Sequence, residues 1–540
     1  MTTPDVSLAS WFAKRAERTP SRRALTFEGH TSSYAELWQR VERLAAGLRA
    51  GGVNAGDQIA FLGLNQPAFF ETLLAASRLG AIFVPLNFRL TAAELAYIIG
   101  DAGVHTLIVD EPHRPVIDTA RDDLHVARYV AADGQADGWE PYDALFDHPP
   151  LTDAVAVGED HVAIIMYTSG TTGRPKGAML THGNLWWNNT NALHTLDVLH
   201  DDVTLVVAPL FHIGGLNVIT LVTWQKGGEV VLHRSFDPAA CLADIARYGV
   251  TTFFGVPAMF LFVSQHPDFA NADLSSIRMF ICGGAPVPEP LLRLYFGRGV
   301  PIQQGYGLTE TAPMVTFLTA EHSLTKLGSA GRPPLFTEVR LADADNATVT
   351  EPLARGEVCV RGPNVLAGYW NRPDATAEAI DVDGWFHTGD IGYLDDDGFL
   401  FIADRVKDMV ITGGENVYPA EVESVLFAHP AVAEVAVIGL PDERWGRPSP
   451  LSSWPRSSDR RSRSCASSPG ARWPVTSCRP ACRSSTCCRA TRPARSSSSS
   501  CGHASRRWHH DHTAVAAGLR RRRAPGRHQL GGRRGERAVR

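Results

Sequence analysis

Between Thr168 and Lys176 the chain reads TSGTTGRPK, four hydroxyl side chains, two glycines and a lysine, with a further glycine at Gly177. Glycine lets backbone N–H groups turn toward a ligand, hydroxyls add donors and Lys176 adds charge, so this stretch suits a polyphosphate. A flexible Gly/Ser surface turn would have no need of a lysine set between Pro175 and Gly177. The pattern differs from the G-x-x-x-x-G-K-[ST] loop, because Lys176 is followed by Gly177 rather than Ser or Thr.

Three other stretches carry chemistry. In QGYGLTET, Gln304 to Thr311, a flat ring at Tyr306 stands between Gly305 and Gly307, suited to cover a planar base. Thr309 and Glu310 follow with a hydroxyl and a carboxylate, which suit phosphate and a hard divalent cation. In PLFHIGGLN, His212 sits between an aromatic and two glycines; an isolated histidine is more often a satisfied core or surface group than a site residue. Asp390, in GWFHTGD, taken alone is more often a solvated or capping carboxylate than a ligand group.

The elements that must position these residues follow from hydrophobic periodicity. HVAIIMY, ending at Tyr167, reads as a buried strand entering the phosphate-type loop. QIAFLGLN, AIFVPLN and HTLIVD read as strands, separated by PAFFETLLAASRLG and TAAELAYIIGDAG as helices. Such alternation predicts α/β layers with mostly parallel sheets. A shorter unit from Asp404 reads as strand, Gly-rich turn, helix opened by Pro419, then strand. The expected organisation is a large multi-sheet N-terminal domain over 1–403, the start of a small α+β C-terminal domain over 404–446, and a tail over 447–540.

Length and composition agree with more than one domain: 540 residues, 44% hydrophobic and 20% charged. The first twenty residues lack the basic flank and apolar run of a signal peptide, and the sequence has no long uncharged apolar stretch, so the expectation is a cytoplasmic protein with no integral membrane segment. Cys241, Cys282 and Cys359 are scattered at no metal-ligand spacing and read as buried small hydrophobes.

YTSGTTGRPKG, QGYGLTET, GWFHTGD and DRVKDMVITGGENVYPAEVE, in that order, resemble the signature motifs of the acyl-adenylate-forming enzymes: acyl-CoA synthetases, firefly luciferase and the adenylation domains of peptide synthetases. The resemblance covers residues 8 to 446 and implies an acyl-CoA synthetase using ATP, Mg²⁺ and coenzyme A on a small carboxylic acid, fatty or aryl. It implies phosphate contacts from Thr168, Ser169, Gly170, Thr171, Thr172, Gly173, Lys176 and Thr309, and Mg²⁺ on Glu310. It places Gln304, Gly305, Tyr306, Gly307 and the backbone of Gly283, Gly284 and Ala285 around adenine, with Asp390 and Arg405 on the ribose. It makes His212 an acyl-site residue, gives Gly413 and Gly414 to the pantetheine tunnel and puts Lys407 at an interdomain hinge. Gly214 and Gly215 would leave room for the acyl chain, with Phe211, Val256, Pro257 and Met259 as walls. The chemistry implied is acyl-AMP formation followed by displacement of AMP by the coenzyme A thiol, the small domain rotating between the two steps. An acyl-AMP ligase loading a carrier protein, and a non-enzymatic nucleotide- or nucleic-acid-binding protein, are the alternatives. Monomer and homodimer are both open.

The tail departs from this pattern. Residues 447–540 hold 22 Arg, no Lys, three acids and six of the nine Cys, a charge of +19 against −24 for the rest. They contain no Ile, Phe, Tyr or Met, so they offer little for a core. The family's small domain is expected to continue with a strand, a YK-x-P segment and a final TGK lysine, and the tail has none of them. Yet RPARSSS, residues 492–498, has synonymous codons that encode Thr-Gly-Lys-Val-Leu-Lys in a frame offset by one base. PVTSCR, 474–479, gives Ser-Tyr-Lys-Leu-Pro in the same frame. The expectation is an out-of-frame C-terminus beginning near Gly446 and Arg447, with activity impaired. A basic nucleic-acid arm is the rival; only Trp454, Trp473 and Trp508 interleave its arginines, and no nucleic-acid partner is expected.

Overall fold

The computed structural model describes residues 5–153, 155–168, 174–405, 410–412, 415–417, 419, 422–423, 426, 432–438 and 516–521. These fall into two compact units, Met1–Ile402 and Ala403–Arg540.

The first unit is built on two eight-stranded sheets, as the alternation of strand and helix predicts. In one, Gln58–Leu62, Ile82–Leu86 and Val104–Val109 are parallel neighbours, and Val162–Thr168 joins parallel to Ile82–Leu86. These are the strands read from the apolar runs; helices Pro67–Leu79 and Ala92–Ala102 lie between them in the chain. Thr91 starts the second helix with a reciprocal cap, its hydroxyl accepting from Glu94 N–H while the Glu94 carboxylate accepts from Thr91 N–H. Gly80 and Gly103 close the two helices in the left-handed conformation, at φ 66° and 71°. One edge of this sheet turns antiparallel: Lys176–Thr181 pairs with Val162–Thr168, and the two-residue strand Gly368–Tyr369 pairs with Lys176–Thr181.

In the other sheet, Val203–Val206, Thr252–Gly255, Met279–Gly283 and Ile302–Gly307 run parallel, and Met314–Leu318 returns antiparallel. Phe253, Phe260, Phe280 and Tyr295, from strands and the helices that cover them, form a buried cluster of edge-to-face rings. A third, antiparallel sheet contains Glu338–Ala342, Gly356–Arg361 and Phe386–Leu394, the last carrying Asp390.

In the second unit Val410–Thr412 pairs antiparallel with Glu415–Val417, and Val432–Ile438 pairs antiparallel with Ala516–Arg521. Pro419 is buried and helical, as the sequence suggests, and the Glu423 carboxylate accepts from Val437 N–H at 2.7 Å. The strand Ala516–Arg521 lies within the tail. Its sequence, AAGLRR, begins in an apolar run and ends on Arg520 and Arg521, and its backbone pairs with the other strand from Val432 opposite Arg521 to Ile438 opposite Ala516. Lys407 and most of the tail lie outside the described residues.

Candidate active site

Two strand ends from different sheets meet a turn of the chain. Thr168 ends its strand and pairs with Lys176 across the antiparallel edge, so both flanks of the phosphate-type loop are fixed by sheet hydrogen bonds. Ser169, Gly170, Thr171, Thr172 and Gly173 lie outside the described residues. Glu310 comes from the 3₁₀ turn Thr309–Thr311, which follows the strand Ile302–Gly307 of the other sheet. Its buried carboxylate accepts from the Thr168 hydroxyl at 3.3 Å and from the Tyr369 hydroxyl at 3.0 Å, both on Oε1. Lys176 Nζ stands 5.2 Å from the centre of the Tyr369 ring. Tyr369, absent from the sequence motifs, thus touches both charged groups of the site. Burial first, then the Glu310 carboxylate, push its hydroxyl pKa well above the ordinary value, so it remains a donor.

This donor set is all oxygen, a buried carboxylate beside hydroxyls, and its chemistry fits a hard divalent cation of the Mg²⁺ kind.

The flanks of the loop are held by a second set of residues, centred on Asp101 at the end of the helix Ala92–Ala102. Asp101 Oδ2 accepts from the Tyr167 hydroxyl at 2.7 Å and Oδ1 from the Arg372 guanidinium at 2.8 Å. Its main-chain oxygen accepts from Trp370 Nε1 and Asn371 Nδ2. Arg372 also donates to Tyr97 Oη, and Tyr97 donates to the Pro175 carbonyl. Tyr167 precedes the loop and Pro175 stands near its end, so Asp101 holds one side directly and the other through Arg372 and Tyr97.

The nucleotide-type residues gather around a third element. The Tyr306 hydroxyl donates to Asp390 Oδ2 at 2.6 Å, joining the two motifs across 84 residues. Asp390 is 3% exposed, so it is no solvated surface carboxylate. Gly283 and Gly305 are direct partners across parallel strands, and a Cβ on Gly283 would lie 3.1 Å from the Gly305 carbonyl oxygen. Gly284, at φ 84°, and Ala285 are exposed just beyond that strand end. Gln304 Oε1 accepts from Val287 N–H, while its buried Nε2 has no partner among the described residues. Gly307 is required by packing: a Cβ there would stand 1.7 Å from the Pro313 carbonyl oxygen.

His212 lies apart, and no hydrogen bond, ion pair or ring contact among the described residues joins it to Lys176 or Glu310. It precedes the short helix Ile213–Asn217, its ring 4.3 Å from that of Phe211. Enclosure by protein and then the nearby Arg89 charge lower its pKa, favouring the neutral ring although one side stays open to solvent. The neighbouring glycines do less than expected to leave room. A Cβ on Gly215 would stand 2.4 Å from the Pro209 carbonyl oxygen, so its smallness serves the close approach of helix and preceding turn. A Cβ on Gly214 would meet the Phe254 ring at 3.0 Å and one on Gly283 the same ring at 3.5 Å. Phe254, which no sequence signal singled out, therefore stands between the His212 helix and the Gly283 strand end.

Arg405 is exposed, with its N–H donating to Asp404 Oδ1; Gly413 and Gly414 lie outside the described residues.

The AMP-binding enzyme family model matches residues 12–370, and the AMP-binding enzyme C-terminal domain model matches 421–451. The chain is similar to a feruloyl-CoA synthase of Amycolatopsis sp, 49% identical over 439 residues, 81% of this chain and 87% of that protein. It is similar to an indoleacetate–CoA ligase of Aromatoleum aromaticum, 42% identical over 445 residues, 82% of this chain and 86% of that protein. Among solved structures, o-succinylbenzoate coenzyme A synthetase of Bacillus subtilis, in complex with ATP and magnesium ion, superposes with a TM-score of 0.72 at 36% identity, covering 80% of this chain and 87% of that one. With motifs, fold and relatives in agreement, the chain belongs to the AMP-binding enzyme family, as an acid–thiol ligase of the AMP-forming acyl-CoA synthetase class that uses ATP, Mg²⁺ and coenzyme A.

Proposed function

We propose that this protein activates a compact aryl-substituted carboxylic acid. The observation that carries the reading is the Phe254 ring, which lies against both Gly214, on the His212 helix, and Gly283, at the strand end, and there would form a flat aromatic wall beside the acyl group. The relatives named for feruloyl and indoleacetate substrates, both aryl acids, support it. His212, neutral, faces the acyl group, with Phe211, Val256, Pro257 and Met259 completing the walls.

In the adenylation step a carboxylate oxygen of the acid attacks the α-phosphorus and pyrophosphate leaves. Lys176, Thr309 and the donors of Thr168 to Gly173 offset the charge developing on the phosphate oxygens. Glu310 would hold Mg²⁺, which supplies Lewis-acid polarisation of the phosphoryl oxygens. Tyr306 covers the adenine, Gly283 to Ala285 and Gln304 to Gly307 line its edge, and Asp390 and Arg405 take the ribose hydroxyls. Gly413 and Gly414 line the path of the coenzyme A arm. The domain limits that go with these roles are 1–403, 404–446 and 447–540, and the compartment is the cytoplasm.

The out-of-frame reading of the tail belongs to the same proposal. The family's C-terminal domain model ends its match at residue 451, close to the Gly446–Arg447 junction. Losing a lysine donor from the developing anion lowers the rate about 10²–10³-fold in comparable sites.

One experiment tests both parts. Acid-dependent pyrophosphate release is measured for the chain as it stands and for a gene with one base restored near codon 446, each with ferulate, indoleacetate and hexadecanoate. The expected result is weak release from the first, strong release from the second, and preference for the aryl acids. Equal activity of the two proteins would refute the frame reading, and preference for hexadecanoate the aryl reading.

A further inference from the structure

Tyr369 is the point at which the metal carboxylate and the phosphate lysine come into register. It lies on Gly368–Tyr369, a two-residue strand added to the edge of Lys176–Thr181 with Tyr369 opposite Ala178, and Trp370 N–H donates to the Gly177 carbonyl. The pairing places Tyr369 two positions along the strand from Lys176. Gly368 makes it possible: at φ 137° it adopts a backbone that disfavours side chains, and a Cβ there would stand 2.8 Å from the Thr376 side chain. Thr376 Oγ1 accepts from Tyr369 N–H, closing the turn, and Leu366 N–H donates to the Glu310 carbonyl, drawing the same segment against the metal turn.

We propose that Tyr369 is a positioning residue of the adenylation site, its hydroxyl fixing the Glu310 carboxylate by one oxygen while its ring face seats the Lys176 ammonium. The two Glu310 bonds described above both use Oε1, so neither draws on Oε2. A carboxylate held by two hydroxyls on one oxygen keeps a single rotamer, and the order is in place before a cation arrives. Seating the lysine on the same ring sets the spacing between the two charges that the triphosphate must bridge. The proposal rests on Glu310 and Lys176 having the roles given above.

The test measures binding, so it does not depend on turnover. Mn²⁺ affinity in the presence of saturating ATP is read by electron paramagnetic resonance on the full chain and on Glu310→Gln, Tyr369→Phe and Tyr369→Leu, with thermal unfolding of each. Tyr369→Phe keeps the ring and removes the hydroxyl; Mn²⁺ affinity is expected to fall roughly five- to tenfold, with ATP affinity at saturating Mn²⁺ changed less than twofold. Tyr369→Leu also removes the lysine seat, and ATP affinity is expected to fall further. Unchanged Mn²⁺ affinity in Tyr369→Phe, while Glu310→Gln loses it, would overturn the positioning role alone. Unchanged affinity in Glu310→Gln would overturn the metal assignment beneath it. Equal loss of ATP and Mn²⁺ affinity in Tyr369→Phe, with unfolding at a much lower temperature, would reduce Tyr369 to a structural residue and also overturn the proposal.

Discussion

Replacing Asp101 by Ala tests whether the phosphate-type loop is held from outside. The substitution removes the acceptor of the Tyr167 hydroxyl bond, 2.7 Å long and part-buried, and the partner of Arg372. A hydrogen bond to a charged group is worth about 1.5–3 kcal/mol net, and leaving the Tyr167 hydroxyl unpaired costs in the same range. Expressed wholly as loop order, that is about ten- to a hundredfold in nucleotide affinity. The sheet pairing of Thr168 with Lys176 and the Tyr97 bond to Pro175 remain, so the lower end is expected. Calorimetric titration of the full chain with ATP should therefore give a Kd about tenfold higher in Asp101→Ala. Asp101→Asn keeps an oxygen for Tyr167 and should fall between. A folded Asp101→Ala protein that unfolds at a lower temperature yet binds ATP within twofold of the parent would refute the reasoning, because the clamp would then serve the fold and not the loop.

Two further predictions rest on single residues. His182 is buried, and its pKa is lowered to about 4, chiefly by burial, while its Nδ1 accepts from Leu8 N–H, which a protonated Nδ1 could not do. Its folded pKa lies below the unfolded value near 6.5, so the unfolded chain binds the extra proton first and stability falls as pH drops from about 6.5 toward 4. The loss amounts to roughly 3 kcal/mol, and denaturant titrations of His182→Gln should show that slope gone. Gly307→Ala forces a methyl onto the Pro313 carbonyl oxygen, displaces the chain leading to Glu310 and should abolish ATP binding; normal binding in calorimetry would show that the turn relaxes freely.

What the sequence alone determined is what depends on neighbours in the chain. The loop from Thr168 to Lys176, the Tyr306 and Glu310 turn and the Asp390 motif are contiguous, because each needs a local backbone form that glycine, proline and short polar side chains specify within a few residues. The parallel strands and their helices are likewise legible, since apolar period and caps act locally: Thr91 and Glu94 define a helix start without any tertiary partner. Tyr369, Asp101 and Phe254 are of another kind. Tyr369 reaches Glu310 across 59 residues, Asp101 reaches Arg372 across 271, and Thr168 reaches Glu310 across 142. Nothing in their own neighbourhoods marks them: an aspartate at a helix end, a tyrosine after a glycine and a phenylalanine in an apolar strand are ordinary there. The same holds for Gly215, whose sequence context suggests open space and whose missing side chain is instead filled by the Pro209 carbonyl. Only tertiary structure brings such residues together, because the free energy of an unpaired buried hydroxyl or a blocked Cβ depends on atoms that the chain supplies from far away.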